Sequence, residues 1–214
     1  MVIERYALVA PVGYLTGSVP FGLYAARYGR HSRLTGSASS NNLAPLDLYQ
    51  RPGPGGKTAA VTFVLELFKG VLPTFTGYLA LGTPGAVSAG SAALVGHNFP
   101  LFARWRGSRS LAPLLGVLLA IYPLVVIILG MVWTATLAAW RYASRAALVT
   151  AVVSPLALAA LDAAGAHENM VFLAAVLWSL LVFFAHRENI RRLVNGREAM
   201  INAPVGGNHR RRVR

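Results

Sequence analysis

Long apolar runs alternate with short, arginine-rich connections along this chain, and the runs are continuous rather than striped. A helix that is apolar on every side belongs in a large core or in lipid. The runs extend from Tyr6 to Ala26, Thr58 to Leu81, Pro84 to Leu101, Leu111 to Trp140, Ala146 to Leu161 and Asn169 to Ala185. A hydrocarbon layer roughly 30 Å thick takes about 20 apolar residues per helix, so the Leu111–Trp140 run is too long for one pass. Tyr122-Pro123 lies near its middle. Proline removes a backbone donor there, which splits the run into a short fourth and a full fifth helix. The pattern predicts an all-α integral membrane protein: a seven-helix bundle, or five full spans with shorter helices.

Composition and charge sharpen this. Of 214 residues, 55% are hydrophobic and 13% charged, with a mean hydropathy of +0.52. A formal charge of +13 on a soluble fold would point to nucleic acid. Here the cations sit between the apolar runs, so membrane lipids, not nucleic acid, are the expected partner. Arg27, Arg30, Arg33, Arg51 and Lys57 follow the first run. Arg104, Arg106 and Arg109 follow the third, Arg141 and Arg145 the fifth helix, and Arg187, Arg191, Arg192 and Arg197 the last. The alternate connections carry none, and the final one holds Asp162 and Glu168. That alternation places the N-terminus outside and the C-terminus inside. Only Glu4 and Arg5 precede the first run, which is unlike a secretory signal. Residues 1–201 read as one membrane domain, and 202–214 as a basic, disordered tail attracted to anionic headgroups. The chain has no cysteine, which excludes disulfides, thiol catalysis and cysteine-held metal.

Three polar segments share the basic side: Arg27–Lys57, His97–Arg109 and His186–Glu198. Arginine forks match phosphate oxygens two at a time, and Gly/Ser loops bring backbone N–H groups close to an anion. A membrane enzyme acting on phosphate esters is built this way, although ordinary positive-inside loops look similar. Within the second run Glu66 and Lys69, three residues apart, share a helix face. At that depth they must pair with each other or face a polar cavity. Beyond the last run the helix is expected to continue into HRENIRRLVNG. There His186, Asn189, Ile190 and Leu193 form one stripe facing protein, Arg187 and Arg191 face another side, and Asn195-Gly196 is a stop. Periodicity alone leaves His186 and Asn189 either as an interface pair or as active-site groups.

These segments carry a resemblance. Tyr14–Gly22 (YLTGSVPFG), Glu66–Gly70 (ELFKG), Gly96–Phe102 (GHNFPLF), Arg141–Ser144 (RYAS) and His186–Glu198 (HRENIRRLVNGRE) occur in this order. The chain resembles the PlsY family, the bacterial acyl-phosphate:glycerol-3-phosphate acyltransferases, over nearly its whole length. The family has Asp where Glu66 stands. Its first loop, G-S-G-N-x-G-A-T-N, is altered here to Gly36-Ser37-Ala38-Ser39-Ser40-Asn41-Asn42, and its second, K-G-G-K-G, to Arg106-Gly107-Ser108-Arg109-Ser110.

The resemblance implies transfer of a fatty acyl group from acyl phosphate to the hydroxyl of glycerol 3-phosphate. The product would be lysophosphatidic acid, made with no coenzyme or metal on the cytoplasmic face of the bacterial plasma membrane. It implies catalytic roles for Ser37, His186 and Asn189. Arg33, Asn41, Arg51, Lys69, His97, Arg106, Gly107, Arg109 and Ser144 are the implied substrate contacts, with His97 also open to a packing role. Glu198 reads as a structural tie to arginines. The altered glycines leave a second reading: a catalytically weak or inactive relative that binds lipid phosphate or a partner enzyme. A small transporter is a third, disfavoured by the absence of an internal repeat. Oligomeric state is not readable.

Overall fold

The computed structural model describes residues 2–28, 55–105, 107–162 and 169–201. Among these the regular elements are helical throughout. The first apolar run becomes α1 (Val2–Ser18) and α2 (Phe21–Tyr28), broken at Val19-Pro20 where a single helix was expected. The second and third runs form α3 (Gly55–Asn98), which reverses at Gly82 (φ 65°). Only glycine holds such a dihedral without strain. The arms, residues 55–81 and 83–98, fold back on each other: Gly77 packs on Gly85, Thr74 on Gly90, and Lys69 meets His97. Then come a 3₁₀ turn (Leu101–Ala103), α4 (Leu111–Ile121), α5 (Pro123–Trp140), α6 (Ala143–Asp162), α7 (Asn169–Ala185) and α8 (Arg187–Val194).

The break at Tyr122-Pro123 is where the sequence puts it, with proline opening α5. The expected continuation of the last helix is not found. Its polar extension is a separate helix, α8, bent from α7 by 62° at His186. Among the described residues, four helical stretches are long and apolar enough to cross a membrane, or five with the bent α7–α8 pair, and one of them contains the α3 hairpin. The 11-residue α4 rises only about 16 Å, half the hydrocarbon thickness.

Burial follows membrane rules. Leu72, Leu79, Ile127, Met131, Leu156, Leu173 and Leu177 point outward, as a lipid-facing surface requires. Inside, Leu114, Leu118, Leu129, Leu158, Val171 and Trp178 form a core across α4–α7. Trp178 Nε1 donates to Ser91 Oγ at 2.9 Å, tying α7 to the α3 hairpin. Apolar burial does not drive helix pairing in lipid, so close backbone approach through small residues takes over. Gly13 and Gly17 of α1 lie against the backbones of Ala89 and Ala93, with no room for a Cβ. Gly17→Leu is therefore expected to lower stability by about 1–3 kcal/mol or more. Thermal unfolding in detergent would read this as a lowered midpoint, while Leu15→Ala, at a lipid-facing position, should do far less.

Candidate active site

The break between α1 and α2 creates the first part of the site. Ending a helix leaves carbonyls without partners, and the Val19 carbonyl is taken by Lys69 Nζ at 2.6 Å. Lys69 also donates to Glu66 Oε2 at 3.2 Å and lies over the Phe21 ring at 5.6 Å. The hairpin register brings in His97, whose Nδ1 is 3.0 Å from Glu66 Oε2 and 3.2 Å from Lys69 Nζ. All three side chains are almost fully buried, at 1–2% exposure. Glu66 and Lys69 thus pair with each other, and the third partner comes from the other arm. This triad sits at the level where α1 and the second arm end. The first arm runs on past it by about 16 Å from Glu66 to Gly55.

The segment after α3 folds back over this level. Tyr14 donates its hydroxyl to the Phe99 carbonyl at 2.9 Å. Arg104 and Trp105 both adopt positive φ, 52° and 63°, which turns the chain sharply. Gly107 then lies against the Asn98 backbone so closely that a Cβ would collide with it. The close approach that Gly107 permits is to the end of α3. Ser108 Oγ and the Arg109 carbonyl both meet His97 Nε2, at 2.9 and 3.1 Å. Ser110 leads into α4, whose first N–H groups have no intrahelical acceptor and whose dipole favours an anion.

The third polar segment reaches the same end of the bundle, where Phe99 and Phe184 rings meet at 5.8 Å. His186, at the α7–α8 bend, is 1% exposed and donates Nδ1–H to the Val182 carbonyl at 2.9 Å. A carbonyl only accepts, so Nδ1 carries the proton, and in the neutral ring the lone pair lies on Nε2. Asn189 lies one turn on and is buried, as the stripe predicted, with Ile190 and Leu193 half-buried and Arg187 and Arg191 exposed. Asn189 Nδ2 donates to Glu198 Oε1 at 2.8 Å, and Arg192 Nε to Glu198 Oε2 at 2.7 Å. The chain reverses at Gly196 (φ 62°) to allow this, and Ile201 N bonds the Arg141 carbonyl at 2.8 Å. Ser144 is buried beside the same carboxylate.

Burial alone would raise the pKa of Glu198, but donors from Asn189 and Arg192, the Ser144 hydroxyl and the Arg192 charge together lower it. A lowered carboxylate pKa stabilises the fold above the ordinary glutamate range, and that contribution fades as pH falls through the lowered value. Glu198→Gln is expected to cost on the order of 1 kcal/mol at neutral pH, discounted for the half-exposed Arg192. The gap in unfolding midpoint between wild type and variant should close on acidification.

Of the sequence-derived candidates, Lys69, His97, Gly107 and Arg109 gather around His97 and the end of α3, and Ser144 and Asn189 gather around Glu198, with His186 one turn before Asn189. Arg33, Ser37, Asn41, Arg51 and Arg106 lie outside the described residues. The hydroxyl of Ser108 and the Val19 carbonyl were not singled out by sequence. No spacing rule signals either, since both contacts depend on the hairpin register.

The arrangement can be set beside known proteins. A family model described as glycerol-3-phosphate acyltransferase matches residues 7–196. The chain belongs to this family. A glycerol-3-phosphate acyltransferase of Jannaschia sp. (strain CCS1) is 38% identical over 195 residues, spanning 91% of this chain and 92% of that one. One from Bradyrhizobium diazoefficiens is 36% identical, spanning 94% and 98%. The crystal structure of PlsY, an integral membrane glycerol 3-phosphate acyltransferase, in its glycerol 3-phosphate form superposes with a TM-score of 0.82 at 28% identity. It covers 92% of this chain and 96% of that one. The lysophosphatidic acid form gives 0.78 at 26%.

Proposed function

We propose that this chain is a membrane acyltransferase that moves a fatty acyl group from acyl phosphate to glycerol 3-phosphate. The observation that carries it is that the His97-held loop after α3 and the His186–Asn189 turn after α7 both follow the end of the bundle where the Phe99 and Phe184 rings meet. Membership of the acyltransferase family supports it. In the reaction the glycerol hydroxyl oxygen attacks the acyl carbonyl carbon, the bond from that carbon to the phosphate oxygen breaks, and inorganic phosphate leaves. The hydroxyl proton passes to a base, for which His186 Nε2 is our candidate, and the products are lysophosphatidate and phosphate.

Phosphate is a good leaving group, so the protein's task is alignment and charge stabilisation rather than activation. Arg109, with Arg106, Arg33 and Arg51, supplies the guanidinium charge, and Ser37 and Asn41 belong to the same set. Asn189, fixed by Glu198, orients substrate. Ser144 supports that carboxylate. Lys69 and His97 act on the loop rather than on substrate. The basic connections face the cytoplasm, with the N-terminus outside and the plasma membrane as the site of action. The acyl chain enters laterally from the bilayer.

Purified protein given acyl phosphate and glycerol 3-phosphate should release phosphate and form lysophosphatidate in equal amounts. Arg109→Ala should lower turnover at least about tenfold, the loss of one charge-assisted contact, whereas Arg212→Ala in the terminal segment should not. Binding of acyl phosphate without turnover in folded protein would instead favour a non-catalytic relative. Equal losses in the two variants would reject the loop assignment.

A further inference from the structure

We infer that His97 is a positioning residue that tethers the loop 107–110 to the buried Glu66–Lys69 pair, with Ser108 as a second attachment. The hydrogen-bond chemistry is constrained. The Arg109 carbonyl at 3.1 Å can only accept, so His97 Nε2 must carry a proton. Ser108 Oγ at 2.9 Å shares that proton as a second acceptor, and its own hydroxyl hydrogen is then directed elsewhere. On the other face of the ring, Nδ1 has two partners at hydrogen-bond distance. Bearing a lone pair, it accepts from the Lys69 ammonium. Bearing a proton, it donates to Glu66. In both protonation states Nε2–H stays aimed at the loop, so the tether holds whichever way the proton is arranged.

The anchor is rigid at its base. Lys69 is held by the Val19 carbonyl and Glu66, so the loop is linked through three side chains to the α1–α2 break. Gly107 packs on the Asn98 backbone, which sets the loop's approach, and His97 sets its depth. Ser108 is the one side chain of the loop whose hydroxyl reaches His97 among the contacts described. A residue without a side chain at this position could not reach His97, so the hydroxyl is an attachment separate from the Arg109 carbonyl. A hydroxyl that accepts from His97 and turns its hydrogen outward is also a donor to an anion lying on the loop.

The kinetic part of this inference rests on the acyltransferase reading, and the structural part does not. The test compares His97→Leu, which removes the donor, with His97→Gln, whose amide N–H can reach the Arg109 carbonyl. Amide hydrogen exchange over residues 107–110 should quicken about tenfold in the leucine variant, the effect of losing one well-placed hydrogen bond. Exchange in α6 and α7 should stay unchanged, and glutamine should restore the loop to within about threefold of wild type. The KM for one phosphorylated substrate should rise about tenfold in the leucine variant, with kcat falling much less. Ser108→Ala, which leaves the buried triad intact, should quicken loop exchange by a smaller factor, about threefold.

Loop exchange unchanged in His97→Leu, faster exchange spread equally through α6 and α7, or glutamine as damaging as leucine would each overturn the tether. If the leucine variant yields no folded protein, His97→Gln and Ser108→Ala decide. Wild-type-like exchange in the alanine variant then overturns the inference. Absence of turnover in the folded wild type would sink the acyltransferase reading alone, because exchange still reads the tether.

Discussion

Lys69→Met is expected to be the most damaging single change in the molecule, lowering stability by about 3–5 kcal/mol, the usual loss when one member of a buried ion pair is removed. The lysine is 2% exposed and its ammonium meets three acceptors on different segments: the Val19 carbonyl, Glu66 Oε2 and His97 Nδ1. Methionine matches the stem in length and supplies none of them. It leaves the Val19 carbonyl with only the Phe21 N–H at 3.1 Å and a buried carboxylate facing only His97. Leaving such groups unpaired costs more than the pair itself contributes. The double variant Glu66→Leu/Lys69→Met should therefore be more stable than Lys69→Met, since the uncompensated charge is gone. It should remain below wild type, because the Val19 carbonyl still lacks its charged donor. Thermal unfolding in detergent, followed by tryptophan fluorescence, would show this order. A double variant less stable than the single one would contradict it.

His186→Ala is expected to lower kcat/KM by about 10²-fold or more, the usual scale for a positioned acid–base group, while folded yield falls much less. The imidazole is held by Nδ1–H to the Val182 carbonyl, which fixes the tautomer and leaves Nε2 as the nitrogen able to take a proton. Glutamine in this place keeps a polar side chain and cannot accept a proton at neutral pH. If His186 moves the hydroxyl proton, glutamine should be nearly as poor as alanine. Should His186→Gln retain most activity, the proton goes to the substrate's own phosphate and His186 only positions. Steady-state kinetics on folded variants separate the two.

Much of the fold was legible in the runs of apolar residues, because lipid demands continuous helices of a set length. The split at Tyr122-Pro123 and the two arms of the α3 hairpin were readable on that ground. The break at Val19-Pro20 was not, and the reason is physical. Pro11, Pro73 and Pro155 all sit inside unbroken helices, since neighbours in a bundle can absorb the lost hydrogen bond. Proline alone does not say where a spanning helix ends. At this break the Val19 carbonyl meets the Lys69 ammonium, a contact across 50 residues. The bend at His186 was hidden in a similar way: the stripe His186–Asn189–Ile190–Leu193 is correct for a helix in either direction.

The candidate site was legible where it is local and where a motif could be matched. Glu66 with Lys69 follows from helical spacing, and the Asn189 stripe from periodicity. His97 joining that pair follows only from the hairpin register. The same holds for the His97 contacts to Ser108 and Arg109, which lie 11 and 12 residues further on. The tie from Asn189 to Glu198 spans nine residues through a turn that Gly196 alone permits.

What most needs testing is whether the loop held by His97 and the turn bearing His186 and Asn189 serve one substrate site. Hydrogen exchange with increasing glycerol 3-phosphate, in the presence of a non-transferable acyl phosphate analogue, addresses this in a single titration. Protection of residues 107–110 and 186–189 that rises together, with the same half-saturating concentration, is the expected result. Protection of one segment with the other unmoved, or of neither at saturating ligand, would show that these elements do not share a substrate.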